Sequence, residues 1–332
     1  MRLTLSVLLC SALLTTSAMA RNTLPEESGF SGDILFGVMY TGGKSLMAAG
    51  DDDKQTLDSL EDSPDSSSKV LPALTGNLYY TFNSLVDQAY VGVSRSKAVQ
   101  GQFSPELGYR RLFSKRSNLT IAYVPNLIDS DTWSDPFLTG QERDQTEAQL
   151  SVVRAKWQGI VDSPFGVEVA YGESDIEDEQ SGASLNLSAD EQAALQRGSR
   201  YYYIGGDITF PLARGTLMTT TLYHLDRKAD GEAYSFDTFG IELGTVSSRG
   251  RHTVIANLTY ESHEYDGFNP VFQQTRDDNK VALFLAYFYA EPFGWNNISY
   301  SILSSFNDRS SNIGFYEQQG LFVATGLNYD FK

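Results

Sequence analysis

The chain has a single cysteine, Cys10, only three histidines, and no apolar run after residue 20 that approaches a membrane-spanning helix. Each shortage excludes something. With Cys10 inside the first twenty residues, the remainder has no disulfide, no thiol nucleophile and no cysteine metal site. A spanning helix needs roughly 20 consecutive apolar residues, and none is present beyond the N-terminus. Basic residues are scarce too: 25 Lys and Arg stand against 42 Asp and Glu, for a net charge of −17. Such an excess of acid argues against nucleic acid as a partner.

What is there begins with a leader. Arg2 is the only charged residue before Ala20, residues 3–14 are mostly apolar, and Ala18-Met19-Ala20 has the small-x-small form of a cleavage site. Residues 1–20 read as a secretory signal peptide, leaving 21–332 as one domain. Lipidation at Cys10 is rejected, because Leu9 stands where a small residue is wanted and the apolar run ahead of it is too short.

The rest alternates. In the last stretch, Leu321, Val323, Thr325, Leu327, Tyr329 and Phe331 share one face, while Gly320, Phe322, Ala324, Gly326, Asn328 and Asp330 share the other. An apolar face backed by small and polar residues suits a strand between lipid and a wet interior. Similar segments occur at 30–40, 74–82, 89–94, 103–113, 119–128, 146–157, 165–171, 201–210, 216–225, 235–246, 252–260, 280–289 and 295–306. Without spanning helices, only a closed β-barrel satisfies backbone hydrogen bonds in lipid. The expectation is an all-β, antiparallel outer-membrane barrel of about 14 strands, with long extracellular loops and short periplasmic turns. The connections 83–87, 114–117, 158–162, 211–214, 247–250 and 290–294 are all short. Those at 42–70, 129–145, 176–199, 264–278 and 307–318 are long, as one rim facing the medium requires.

Charge follows the same division. Loop 42–70 holds seven acids against three lysines; loops 129–145 and 176–199 hold five acids each against one arginine. The densest oxygen clusters are Asp51-Asp52-Asp53 and Ile176-Glu177-Asp178-Glu179. Neither has the spacing of a calcium loop. The expectation is weak sharing of divalent cations with lipopolysaccharide, with no ordered metal site and no cofactor. Ser188 with Glu191 forms a capping box, and Gly198 offers a stop, so a short helix is expected within 188–198.

The interior is the better place for function. In these registers Glu106, Arg110, Glu168, Asp207, His224, Glu242 and Glu261 point inward, with Asn77 and Asn257 among them. A barrel of about eight strands is filled by its own side chains, whereas one of about 14 has room for water. Charges along an aqueous path would select solutes electrostatically; alternatively they pair with one another and brace the wall. Segment 281–289 is apolar on both faces, which turns Phe284 and Phe288 inward. Catalysis is not expected. Ser262-His263 adjoins Glu261 and Glu264, but neighbours along a strand point to opposite faces, and His252 reads as interfacial.

Several short motifs are similar to a gammaproteobacterial envelope family, the domain of unknown function 2860. They are Gly29-Phe30-Ser31-Gly32, Ser94-Arg95, Glu106-x-Gly108-Tyr109, Trp133-x-Asp135-Pro136 with Arg143, and Leu195-x-Arg197. The resemblance covers nearly the whole chain after the leader and implies an envelope protein, with no catalytic or binding residue carried over. Trp133, Asp135 and Arg143 share one long loop, which makes it the candidate constriction. The functional expectation is a monomeric, passive, porin-like channel for small solutes. The alternative is a non-conducting surface barrel whose acidic loops bind a partner, as an adhesin or phage receptor would.

Overall fold

The computed structural model describes residues 27–49, 55–93, 105–125 and 130–332. The leader, the Asp51–Asp53 cluster and Ser94-Arg95 lie outside the described residues. The strands are β1 (Gly29–Ser45), β2 (Ser66–Thr81), β3 (Asp87–Val93), β4 (Pro105–Leu112), β5 (Asn118–Val124), β6 (Ser130–Trp133), β7 (Gln145–Gln158) and β8 (Phe165–Ile176). They continue as β9 (Ser199–Ala213), β10 (Thr216–Ala229), β11 (Phe236–Arg249), β12 (His252–Asn269), β13 (Gln274–Ala290), β14 (Ile298–Ser311) and β15 (Gln318–Phe331).

Apart from β5 and β6, which do not pair with each other, each strand pairs antiparallel with its neighbours in chain order, and β15 pairs with β1 from Gly32↔Phe331 to Ser45↔Gln318. The circle closes where β7 takes β5 along its lower half and β6 along its upper half. β5 and β6 therefore occupy one position, and the sheet is a closed barrel of 14 strand positions. Closure leaves no unpaired edge, the condition for a sheet in lipid. No helix among the described residues is long and apolar enough to cross a membrane.

Alternation assigns the two faces as the residues dictate. Phe30, Ile34, Phe36 and Val38 of β1 and Leu321, Val323, Leu327 and Tyr329 of β15 are exposed on the outer wall. Leu35 and Met39, and Phe322 and Ala324, are buried inside. Outward aromatics collect at the rim of the short turns: Phe30, Tyr80 and Phe82 stack in sequence at 4.9 and 5.2 Å, and Phe113 meets Trp157 at 6.2 Å. Such a belt suits the membrane–water interface. The turns are tight; between β9 and β10 only Arg214 and Gly215 intervene. Gly215 has φ +75°, and a Cβ there would lie 2.5 Å from the Ser248 carbonyl oxygen.

The opposite rim differs from expectation. β12 runs on to Asn269 and β13 starts at Gln274, so the loop expected at 264–278 shrinks to 270–273. The loop expected at 307–318 likewise shrinks to 312–317. Above the membrane neither face must be apolar. Ser262, Glu264, Asp277 and Asn279 thus break the alternation while the backbone ladder continues. Described connections of this rim, the shortened ones included, fold inward over the mouth as a lid. Leu46, Leu57, Phe137, Leu195, Tyr234 and Phe315 are all buried in it, drawn from five different connections. Each buried large apolar side chain stabilises by roughly 1.5–3 kcal/mol, and opening the lid as a unit forfeits several at once.

The capping box is present: Glu191 N–H donates to Ser188 Oγ at 3.3 Å, and Ser188 N–H donates to Glu191 at 2.8 Å. The helix it starts, α1, spans only Ala189–Ala193 and does not reach Gly198. Leu195 turns into the lid core instead, and the backbone bonds across to Gly231 and Ala233.

Candidate functional site: the lumen and its lid

Six of the seven residues expected to line the pore face inward: Glu106, Arg110, Glu168, Asp207, Glu242 and Glu261. His224 does not. It shares the outer face with Leu222, its ring packs on exposed Phe239 at 4.8 Å, and its Nε2 meets Asp237 at 3.0 Å. The inward residue beside it is Tyr223, since strand parity on β10 runs one position off the expected register. Asn77 is inward as expected and donates to both Asp33 oxygens at 3.1 Å.

The inward acids are not alone. Glu106 takes a fork from Arg154 at 2.8 and 2.7 Å, and Arg154 reaches on to Glu168 at 3.4 Å. Lys156 bridges Glu168 and Asp207 at 3.3 and 3.5 Å, and Lys280 meets Glu261 at 3.1 Å. Arg154, Lys156 and Lys280 were not singled out from the sequence. Parity signals all three, because each sits on the opposite face of its strand from the exposed apolar residues: Val153 and Trp157 on β7, Val281, Leu283 and Leu285 on β13.

Two tyrosines extend this strip by the same device. Tyr90 stands opposite Gly108, and Tyr223 opposite Gly240, in directly paired positions. A Cβ on Gly108 would lie 2.2 Å from the Tyr90 ring, and one on Gly240 2.1 Å from Tyr223. With only hydrogen there, each ring lies flat across its neighbour and its hydroxyl donates to a carboxylate, Glu106 and Glu261 respectively, both at 2.6 Å. This gives Glu106-x-Gly108 a physical reason: the glycine makes room for the donor that its neighbouring acid needs.

The facing part of the lumen is apolar. Leu35, Met39, Phe284, Phe288, Leu303 and Phe322 form one buried cluster. Phe284 and Phe288 are therefore inward, packed among neighbouring strands. The interior is two-sided, with an ionic wall from β4 through β12 and an apolar wall around the β1–β15 seam.

One chain of polar groups has the outline of a catalytic relay. Thr238 Oγ1 lies 2.7 Å from His263 Nδ1, and His263 Nε2 lies 3.2 Å from Glu261. Residues two apart on a strand share a face, so Glu261 and His263 meet although Ser262 does not join them. Thr238 is 0% exposed, however, and Phe236 closes over the histidine edge-on at 5.1 Å. The group braces the wall and offers no reachable nucleophile.

Trp133, Asp135 and Arg143 come together at the base of the lid, and all three are buried. The Arg143 guanidinium lies 4.1 Å from the Trp133 ring centroid and donates to the carbonyls of Leu46 at 2.8 Å and Pro136 at 3.2 Å. Asp135 accepts from the N–H groups of Phe137, Gly182 and Ser184 at 3.0, 3.0 and 2.9 Å. The first loop joins them, with Gly140 N–H donating to Leu57 at 2.7 Å and Arg143 N–H to Gln55 at 2.9 Å. Arg197 completes the knot: it grips Glu179 through Nε at 2.9 Å and donates to the Trp133 carbonyl at 2.6 Å. Glu179, read as part of an acidic cluster, is thereby consumed in structure. Among the described residues no group of three or more His, Cys, Asp or Glu is placed to hold a metal ion.

No curated protein matches the sequence. Among solved structures, OmpT of Vibrio cholerae expressed in the outer membrane superimposes with a TM-score of 0.39 at 9% identity, covering 93% of this chain and 100% of that one. The outer-membrane channel DcaP of Acinetobacter baumannii gives 0.39 at 8%, covering 91% and 98%. An anion-selective porin from Comamonas acidovorans gives 0.39 at 10%, covering 92% and 100%. Likeness this distant says nothing about cargo. The family match is of another kind, because it runs over nearly the entire barrel and takes in both the lid motifs and Glu106-x-Gly108. The profile described as "Protein of unknown function (DUF2860)" matches residues 29–330, and the chain belongs to that family.

Proposed function

We propose that the protein is a bacterial outer-membrane barrel, monomeric, that passes small solutes along the ionic wall of its lumen and is held shut at the outer mouth by the lid. The observation that carries this reading is the strip of inward charge from Glu106 through Arg154, Lys156, Glu168 and Asp207 to Glu261 and Lys280. A wall needing only to fill space would use apolar residues, as the seam does; ionised groups in this number call for water beside them. Outer-membrane placement is supported by the apolar exterior and its aromatic belt, and the monomer by closure without an edge. The exposed acids of the outer loops, Glu177 among them, suit loose bridging to lipopolysaccharide through divalent cations.

A specific observation favours the second reading, a non-conducting surface barrel with a partner-binding rim. The lid is a packed core of its own, and the ionic groups beneath it are already paired. Recording from folded protein in a planar bilayer separates the two. Ohmic steps from the native chain, more frequent or larger in Arg143→Ala, are expected of a lidded channel. Silence from both proteins would overturn conduction and leave the rim as the working surface; deleting 45–68 would then abolish partner binding without unfolding the barrel.

A further inference from the structure

Directly beneath the lid the lumen widens into a cavity of about 310 Å³, and its lining is the reverse of the chain's overall character. In a protein of net charge −17, four arginines converge there: Arg197, Arg227, Arg276 and Arg309. Their carboxylate partners number two. Glu179 is taken by Arg197, and Asp278 serves both Arg276, at 2.9 and 2.5 Å, and Arg309, at 3.8 Å. Tyr265 also donates to Asp278 at 3.3 Å, so that one carboxylate is shared among three side chains.

Arg227 has no carboxylate within ion-pair distance among the described residues. Its guanidinium donates to Ser199 Oγ at 2.8 Å and to the Arg197 carbonyl at 3.0 Å, and it lies over the rings of Tyr201 and Tyr234. The Nε of Arg309 is buried and meets no hydrogen-bond acceptor among the described residues. Among the described residues four guanidinium groups stand against two carboxylates around this cavity, which leaves two positive charges in excess. Buried charge in excess is costly unless something of opposite sign completes it.

We propose that this chamber is a binding site for a small organic oxyanion, a carboxylate or phosphate group carried on a compact body, held chiefly by Arg227 and Arg309. Guanidinium groups present paired donors that match the oxygens of such anions. The walls suit the body that carries the charge. Met47, Leu150 and Tyr201 give apolar surface, and Tyr234 and Tyr316, both buried, line the same cavity. Burial pushes both hydroxyls above the ordinary tyrosine range, so they stay protonated as donors. The volume lies at the small end for ligand pockets, which suits a compact body. The proposal deepens the channel reading by naming a solute class, but binding does not require conduction, and the two fail separately.

The test is equilibrium dialysis of the detergent-folded full chain against radiolabelled benzoate, succinate and inorganic phosphate, with benzylamine as the cationic counterpart. Dialysis allows for slow passage beneath the lid. Saturable binding of at least one anion, without binding of benzylamine, is expected. Arg227→Gln and Arg309→Gln should each weaken it by roughly tenfold or more, the loss expected for a hydrogen bond to a charged group. Arg251→Gln, on the exposed short-turn rim, should leave it unchanged. Phosphate binding alone would assign the chamber to free phosphate, and benzoate or succinate binding to organic carboxylates. Absence of saturable anion binding to the native chain overturns the proposal, whether or not the variants fold. So does binding that survives both substitutions in protein that still migrates as a folded barrel.

Discussion

Arg143 illustrates how much one residue carries when it is buried with its bonds made. At 2% exposure its charge is out of water, its guanidinium tied to the main-chain carbonyls of Leu46, Gln55 and Pro136 and stacked on Trp133. Arg143→Ala removes those donors and leaves the Leu46 and Pro136 carbonyls without them, at a cost of roughly 2 kcal/mol or more. Because the strands do not depend on it, the effect should appear as protease cleavage within 46–65 and 134–144 of an otherwise resistant barrel. Cleavage no faster than in the native chain would show that the lid stands without this residue. Such a role is not readable from an arginine in a loop with five acids, where a solvated partner is the ordinary expectation.

Among the elements, α1 is the one whose stability should follow pH. Ser188 donates its backbone N–H and its hydroxyl to Glu191, and these bonds hold the Glu191 carboxyl below the ordinary carboxylate range. A pKa lower in the folded chain than in the unfolded one means that the cap contributes stability above the unfolded value. That contribution is lost as pH falls through the folded one. Amide protection over 188–194, corrected for intrinsic exchange, should therefore drop on acidification below the ordinary glutamate value of 4.5. Glu191→Gln keeps a neutral box and should flatten that dependence; an unchanged slope would separate the cap from the titration. The helix start was legible because a capping box is local. Its end was not, because Leu195 is pulled into the lid core by residues over a hundred positions away.

For the whole molecule the decisive fact is closure. β1 meets β15 over fourteen paired positions, and β5 with β6 completes the ring against β7. A closed ladder of this kind resists detergent until heated. The unboiled protein is expected to migrate apart from the boiled protein on a detergent gel of membrane fractions; a single unshifted band would be the behaviour of a soluble β protein. Closure also turns charge inward in two layers, a mixed ionic wall below and an arginine chamber above, within a shell whose loops are acidic.

The linear order of residues was enough for much of this. Alternation is a property of single strands, and a strand in lipid must keep one face apolar, so the barrel and its short-turn rim could be read directly. Closing the count at 14 positions took the pairing of β5 and β6 with β7. Six of seven inward residues followed from the same parity; His224 failed because one residue of register reverses a whole strand and nothing local marks it. Above the membrane the constraint on alternation lapses, and the reach of β12 and β13 could not be seen. What only the tertiary structure decided is what meets what. Trp133, Asp135, Arg143 and Arg197 become the base of a lid because loops from separate hairpins converge there. The four arginines of the chamber come from three strands and a loop, and only closure of the ring places them around one cavity.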